Sequence, residues 1–261
     1  FFYLGFKNFG SKHIGICMLL VMLVIFPQAL GGVRQGVAMS LCFYAFSFLP
    51  QKRRTAFIIT VLCAGLFHYS SLIMLLMLPL HYLMVSKPES EKKFITKMLV
   101  MMIALIGVVI VGFKVIQYIP FLRKYALYST DAFVEQYGAL TASHNILPEL
   151  ASVALIVMFY NHLVKGKKEN GRYMFMSIIL MLMITLIGFK VPLASRLADY
   201  FIAFFILAMT SAIDTFDDKK SRRIMTGVAV AYGVLFFVAG IYLNGSGAIF
   251  PYQTIFELLA V

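Results

Sequence analysis

Charge is scarce in this sequence. Asp, Glu, Lys and Arg make up only 13% of its 261 residues, about half the share of a soluble domain, so no segment offers the polar surface that a separate soluble domain needs. Acidic residues are the rarer sign, 11 against 23 Lys and Arg. Cysteine is nearly absent: Cys17, Cys42 and Cys63 each lie in an apolar run without the Cys or His spacing of a zinc site, and buried thiols are expected. No Ser-centred nucleophile elbow, phosphate-binding Walker loop or zinc-ligand spacing occurs, which removes the commonest motif-borne hydrolase and nucleotide chemistries. No internal repeat or low-complexity tract divides the chain, so residues 1–261 read as one transmembrane helical domain. The opening FFYLGFKNF lacks Met and a charged leader. It resembles the tail of a hydrophobic helix, so a truncated N-terminal portion is expected, with the first span serving as insertion signal.

What is abundant is apolar surface. Hydrophobic residues make up 61% of the chain and the mean hydropathy is +0.89, beyond what a soluble fold buries. The apolar residues fall into runs of about 15 to 20, near the length at which a helix rising 1.5 Å per residue crosses roughly 30 Å of hydrocarbon. About nine such runs can be drawn, at 13–30, 34–49, 55–69, 70–85, 95–113, 147–164, 173–190, 196–213 and 224–243. The expectation is an all-α, polytopic integral membrane protein with about nine transmembrane helices, several of them short or broken.

The basic residues orient it, because loops rich in Lys and Arg stay cytoplasmic. Lys7 and Lys12; Lys52, Arg53 and Arg54; Lys87, Lys92, Lys93 and Lys97; Lys165, Lys167, Lys168 and Arg172; and Lys219, Lys220, Arg222 and Arg223 fall on alternate connections. The bias puts residues 1–12 inside and the C-terminus outside. It also requires an even number of crossings between 54 and 87. A single helix over 55–85 would run roughly 46 Å, so a break is expected at His68-Tyr69-Ser70-Ser71. A similar break follows Pro27 at Gly31-Gly32, leaving Arg34 and Gln35 at the turn. Both breaks are expected to face outward, as is a long connection at about 114–146 in which Ser129 or Thr130 can cap a short helix carrying Asp131 and Glu135.

Six basic residues remain for the outward side, where they should be rare: Arg34, Lys114, Arg123, Lys124, Lys190 and Arg196. Arg34 and Arg196 also lie near helix starts, where the helix dipole disfavours a cation. An anion would offset both penalties, since helix N-termini and arginine forks favour phosphate oxygens. The alternatives are headgroup contact and, for Arg196, pairing with Asp199 and Tyr200 at i+3 and i+4. His68 is either a hydrogen-bonded packing residue or a functional imidazole. Asp214, Asp217 and Asp218 read as a solvated cluster beside Lys219 and Lys220, and His13, His81 and His162 receive no role. The outward side has no tight acidic cluster, so no metal is expected.

Three segments together resemble the EpsG family, relatives of the Wzy polysaccharide polymerases: Gly32-Val33-Arg34-Gln35-Gly36-Val37-Ala38, Leu66-Phe67-His68-Tyr69-Ser70-Ser71-Leu72-Ile73, and Ser195-Arg196-Leu197-Ala198-Asp199-Tyr200-Phe201, with a basic loop at 51–54 between the first two. The resemblance runs over nearly the whole chain. Members usually carry a further N-terminal region of about 100 residues, with an acidic and Tyr-rich outer loop, that has no counterpart here.

That resemblance implies a GT-C-like helical bundle in the bacterial plasma membrane that polymerises oligosaccharide repeat units carried on undecaprenyl diphosphate into exopolysaccharide, capsule or O-antigen. Arg34 and Arg196 would bind the diphosphate and stabilise its developing charge, and His68 would orient or deprotonate the acceptor hydroxyl. Gln35, Tyr69, Ser70, Asp199 and Tyr200 would supply secondary contacts, and Arg123 and Lys124 would guide the sugar or the second diphosphate. The donor and acceptor glycans and membrane lipid are the implied partners, together with a flippase and a chain-length regulator. No cofactor, nucleotide sugar or nucleic acid is called for. The competing readings are a lipid-linked glycan flippase or transporter, a ligase transferring to another acceptor, and a non-catalytic scaffold in an export complex.

Overall fold

A computed structural model describes residues 1–84, 90–116, 146–165, 169–188 and 196–240. Among the described residues every regular element is helical and none is a strand. The helices are α1 (Phe2–Asn8), α2 (Ile14–Gly31), α3 (Val33–Phe46), α4 (Arg54–Phe67), α5 (Tyr69–Leu83), α6 (Glu91–Ile116), α7 (Ile146–Tyr160, continued by a π turn at Asn161–Lys165), α8 (Glu169–Gly188), α9 (Arg196–Thr215) and α10 (Lys219–Val238). Each apolar run of the sequence lies largely within one of them. Among the described residues four stretches are long and apolar enough to cross a membrane: Ile14–Gly31, Asn170–Gly188, Arg196–Thr215 and Lys219–Val238. By contrast α3 and α4, with 14 residues each, rise only about 21 Å.

The two expected breaks occur, and their backbone explains how an apolar chain tolerates them. Gly32 leaves the helical region between α2 and α3, yet its N–H donates to Ala29 O at 3.1 Å and its carbonyl accepts from Gly36 N at 2.9 Å. His68 is extended between α4 and α5, yet its N–H donates to Ala64 O at 3.0 Å and its carbonyl accepts from Ser71 N at 3.0 Å. Neither residue leaves a backbone group unpaired, which in hydrocarbon would cost several kcal/mol. After His68 the chain turns as a 3-10 helix over Tyr69–Leu76, longer than such helices usually run.

α8 and α9 form the centre. Of their most apolar windows, 72% and 78% are buried, against 33% for α2 and 17% for α10. Phe204 of α9 is the hub, with ring centroids of Tyr173, Phe43, Phe9 and Phe46 lying 5.1 to 5.5 Å away; such pairs add about 0.5–1.5 kcal/mol each to their area burial. α3 packs along α4 and against α1, while α10 lies along α2. On α10, Ile224, Val228, Leu235 and Val238 stay exposed, a face that hydrocarbon solvates and water does not. This surface also corrects one expectation: Cys17 and Cys42 are buried, but Cys63 is exposed, because it lies on an apolar face of α4 directed away from the bundle.

Among the described residues, hydrogen bonds and ion pairs tie together the helix ends that carry the basic connections. Asn8 Nδ2 donates to Ser47 Oγ at 3.0 Å and Asn170 Nδ2 to Phe9 O at 3.5 Å. Tyr160 OH donates to Glu91 Oε1 at 2.6 Å, and Asp214 meets both His13 Nε2 at 3.2 Å and Lys12 Nζ at 3.6 Å. Asp218 caps α10, accepting from Ser221 N at 2.7 Å, which holds its carboxyl below the usual range. The acidic run expected to be a solvated cluster is therefore partly structural: Asp214 ties α9 to the start of α2, and Asp218 closes a helix end. His13, given no role from sequence, is the partner in that tie.

Gly36 sets the approach of α3 to α2, since a Cβ there would lie 2.6 Å from the Ala29 Cβ. Gly36→Ala is expected to lower stability by about 1–3 kcal/mol through overpacking, read as a drop in the thermal midpoint of the purified protein. Ala29→Gly in the same chain should restore it, and an unchanged midpoint in Gly36→Ala alone would refute the close approach.

Candidate functional site

The site stands at the opposite end from the basic network, where the two breaks and the start of α9 meet. Because α3 and α4 are packed antiparallel neighbours, residue 34 at the start of one and residue 68 after the end of the other share an end. The α3 helix also contacts the first turn of α9. Residues that are 34 and 128 positions apart in sequence therefore come together through helix packing.

Arg34 is exposed in the first turn of α3 and Arg196 is exposed at the start of α9. Among the described residues neither forms an ion pair with a carboxylate. His68 is half-buried between them. Burial lowers its pKa below the ordinary 6.5, and the positive charges of Arg196 and then Arg34 push it in the same direction. The imidazole is thus held neutral at pH 7, with two cations close enough to oppose its protonation.

The secondary residues are tied to one another. Gln35 Nε2 donates to Asp199 Oδ2 and to Arg196 O, both at 3.1 Å. Ser70 Oγ and Tyr200 OH are 3.2 Å apart. Of the expected alternative, a helical pairing of Arg196 with Asp199 and Tyr200, no ion pair forms among the described residues, though the charge of Arg196 still acts on the Asp199 carboxyl. Residues Asp199–Phe201 make a 3-10 turn, and its consecutive side chains point to different neighbours, Asp199 to Gln35 of α3 and Tyr200 to Ser70 of α5. Tyr69, by contrast, is 79% exposed and turns its ring away from the protein. Arg123 and Lys124 lie outside the described residues, as do Lys190, most of the long connection at 114–146 and the C-terminus.

Chemically, two guanidiniums that form no ion pair among the described residues, beside a neutral imidazole, can bind a polyanion and accept one proton. Among the described residues no group of three or more His, Cys, Asp or Glu side chains is placed to hold a metal ion. The EpsG family model matches residues 1–254. No curated protein and no solved structure matches the chain.

The Ser70–Tyr200 bond joins the break at His68 to α9. In a double-mutant cycle, Ser70→Ala and Tyr200→Phe are expected to show a coupling of about 0.5–1.5 kcal/mol in unfolding free energy. Strictly additive losses would mean that the two hydroxyls do not interact.

Proposed function

This chain belongs to the EpsG family, membrane proteins of polysaccharide biosynthesis, and we propose that it is a Wzy-like polymerase joining oligosaccharide repeat units carried on undecaprenyl diphosphate. The observation that carries the reading is the meeting of Arg34, His68 and Arg196 at the end of the bundle away from the basic loops. By the positive-inside bias those loops face the cytoplasm, so the site faces outward in a bacterial plasma membrane, and the C-terminus lies outside.

In the proposed reaction the terminal hydroxyl of one lipid-linked unit attacks the anomeric carbon of the other glycan. The carbon–oxygen bond to the diphosphate breaks, its electron pair leaves with the lipid diphosphate, and the hydroxyl proton passes to His68. Arg34 and Arg196 stabilise the charge that grows on the leaving group, the point at which preorganised cations lower the barrier most. His68 suits the proton because burial and the two arginine charges hold its pKa below the ordinary 6.5, which favours the neutral imidazole that can accept. Tyr69 offers an exposed ring to a sugar face, and Arg123 and Lys124 guide the sugar or the second diphosphate. A flippase that delivers the donor and a chain-length regulator are the protein partners.

A ligase that moves the same donor glycan to another acceptor would use the same arginines. A transporter would instead carry charges through the bundle, whereas Arg172, the one buried formal charge among the described residues, lies in the first turns of α8 at the basic end. The deciding experiment supplies purified undecaprenyl-diphosphate-linked repeat units to the full-length protein in nanodiscs. A ladder of glycans is expected from wild type, with losses of about 100-fold or more in Arg34→Ala, Arg196→Ala and His68→Ala at equal folded yield. Lipid binding without a ladder would favour the transporter or scaffold, and a single transfer product would favour the ligase.

The pH profile tests His68 separately. A base acts when deprotonated, so activity should fall as pH drops through the folded pKa of His68, on an acid limb below pH 6.5. Replacing Arg196 with Gln removes one of the charges that lower this pKa, so the residual activity should show a limb moved to higher pH. A limb that stays in place would exclude His68 as its origin.

A further inference from the structure

Three residues into α9 comes a single 3-10 turn, Asp199–Phe201, and two consecutive residues of that turn reach two different chain breaks. Asp199 Oδ2 accepts from Gln35 Nε2, the neighbour of Arg34, and the same nitrogen reaches the carbonyl of Arg196 itself, both at 3.1 Å. Tyr200, 1% exposed, meets Ser70, two residues beyond His68, at 3.2 Å. Four polar side chains that could have contacted a substrate are thus engaged with each other. Both bonds cross between helices that sequence separates by 130 residues or more, so they report how the site is assembled.

We infer that Asp199 and Tyr200 are positioning residues: one turn of α9 holds Arg34, through Gln35, and His68, through Ser70, in fixed places relative to Arg196. The inference rests on the lipid-diphosphate glycosyl transfer proposed above. A diphosphate presents two anionic groups, and stabilising both as a bond breaks requires two guanidiniums at a fixed separation. The Gln35 amide supplies that constraint directly, because it clamps the chain beside Arg34 to the backbone of Arg196. The Tyr200–Ser70 arm sets the imidazole against the same reference. Displacements of about 1 Å in such groups can cost 100-fold in rate.

A positioning carboxylate needs only an acceptor oxygen, so the amide should replace it. In the full chain in nanodiscs, Asp199→Asn keeps an oxygen for Gln35 and should hold kcat/KM within about threefold of wild type, whereas Asp199→Leu and Gln35→Ala should each lose about tenfold in kcat/KM for the donor and bind undecaprenyl diphosphate more weakly. Combining Asp199→Leu with Gln35→Ala should add less than about twofold to Gln35→Ala alone, since the Gln35–Asp199 bond that Asp199→Leu removes is already broken there. Tyr200→Phe keeps the packed ring and should lower kcat about threefold to tenfold while leaving the affinity for undecaprenyl diphosphate, measured without glycan, unchanged. Asp199→Asn as harmful as Asp199→Leu would make the carboxylate charge itself the functional group and overturn the inference, as would multiplicative losses in the double variant. If wild type forms no glycan from its native donor, undecaprenyl diphosphate binding separates the two ideas. Coupled losses of binding in the Asp199 and Gln35 variants would keep the positioning of the arginines and reject the glycosyl transfer, and independent or absent losses would reject both.

Discussion

In hydrocarbon a backbone N–H or C=O without a partner costs several kcal/mol, and this constraint decides where the chain can depart from a helix. At Gly32 and His68 it departs while keeping both groups of the breaking residue bonded within the same segment. The bonds run to residues three or four positions away, so each break is a local reversal that interrupts no long-range pairing. What it changes is direction: the side chains beside the break leave the helical row and turn toward the start of α9. Arg34, Gln35, His68 and Ser70 stand at these two reversals, at the end of the bundle where α3 meets the start of α9.

The shelter comes from α9. Its side chains are the most completely buried of the long apolar helices, and Phe204 draws rings from α1, α3 and α8 around it. A helix gripped in this way is a fixed reference, and its first turn carries that rigidity to the end where the breaks lie. The aromatic core and the polar end are therefore parts of one arrangement: the rings hold α9, and Asp199 and Tyr200 pass its position to α3 and α5.

The shortage of acid shapes the electrostatics. At the basic end Asp214, Asp218 and Glu91 are used in a tie, a cap and an interhelical hydrogen bond. At the other end Asp199 accepts from a neutral amide, so Arg34 and Arg196 keep positive fields that no described carboxylate cancels through an ion pair. A neutral imidazole between two such fields is the result of burial and of like charges acting in the same sense.

Hydropathy and charge belong to residue types, and what depends on them could be read directly from the sequence: an all-helical membrane protein, breaks at Gly31-Gly32 and His68, a segregation of basic loops, and the three segments that resemble the EpsG family. Arg34, His68 and Arg196 could be singled out because each sits where solvation or the helix dipole penalises it. Which partners those residues have could not be read, since side-chain direction at a break depends on local backbone geometry and on which helices pack. Helical periodicity assigned Asp199 and Tyr200 to the face of Arg196, whereas their hydrogen bonds run to Gln35 and Ser70, which only the packing of α3 and α5 against α9 brings within reach. The same limit concealed the His13–Asp214 tie and the outward face of Cys63, because a contact between residues some 200 positions apart, or a choice between bundle and lipid, is settled only when the helices have packed.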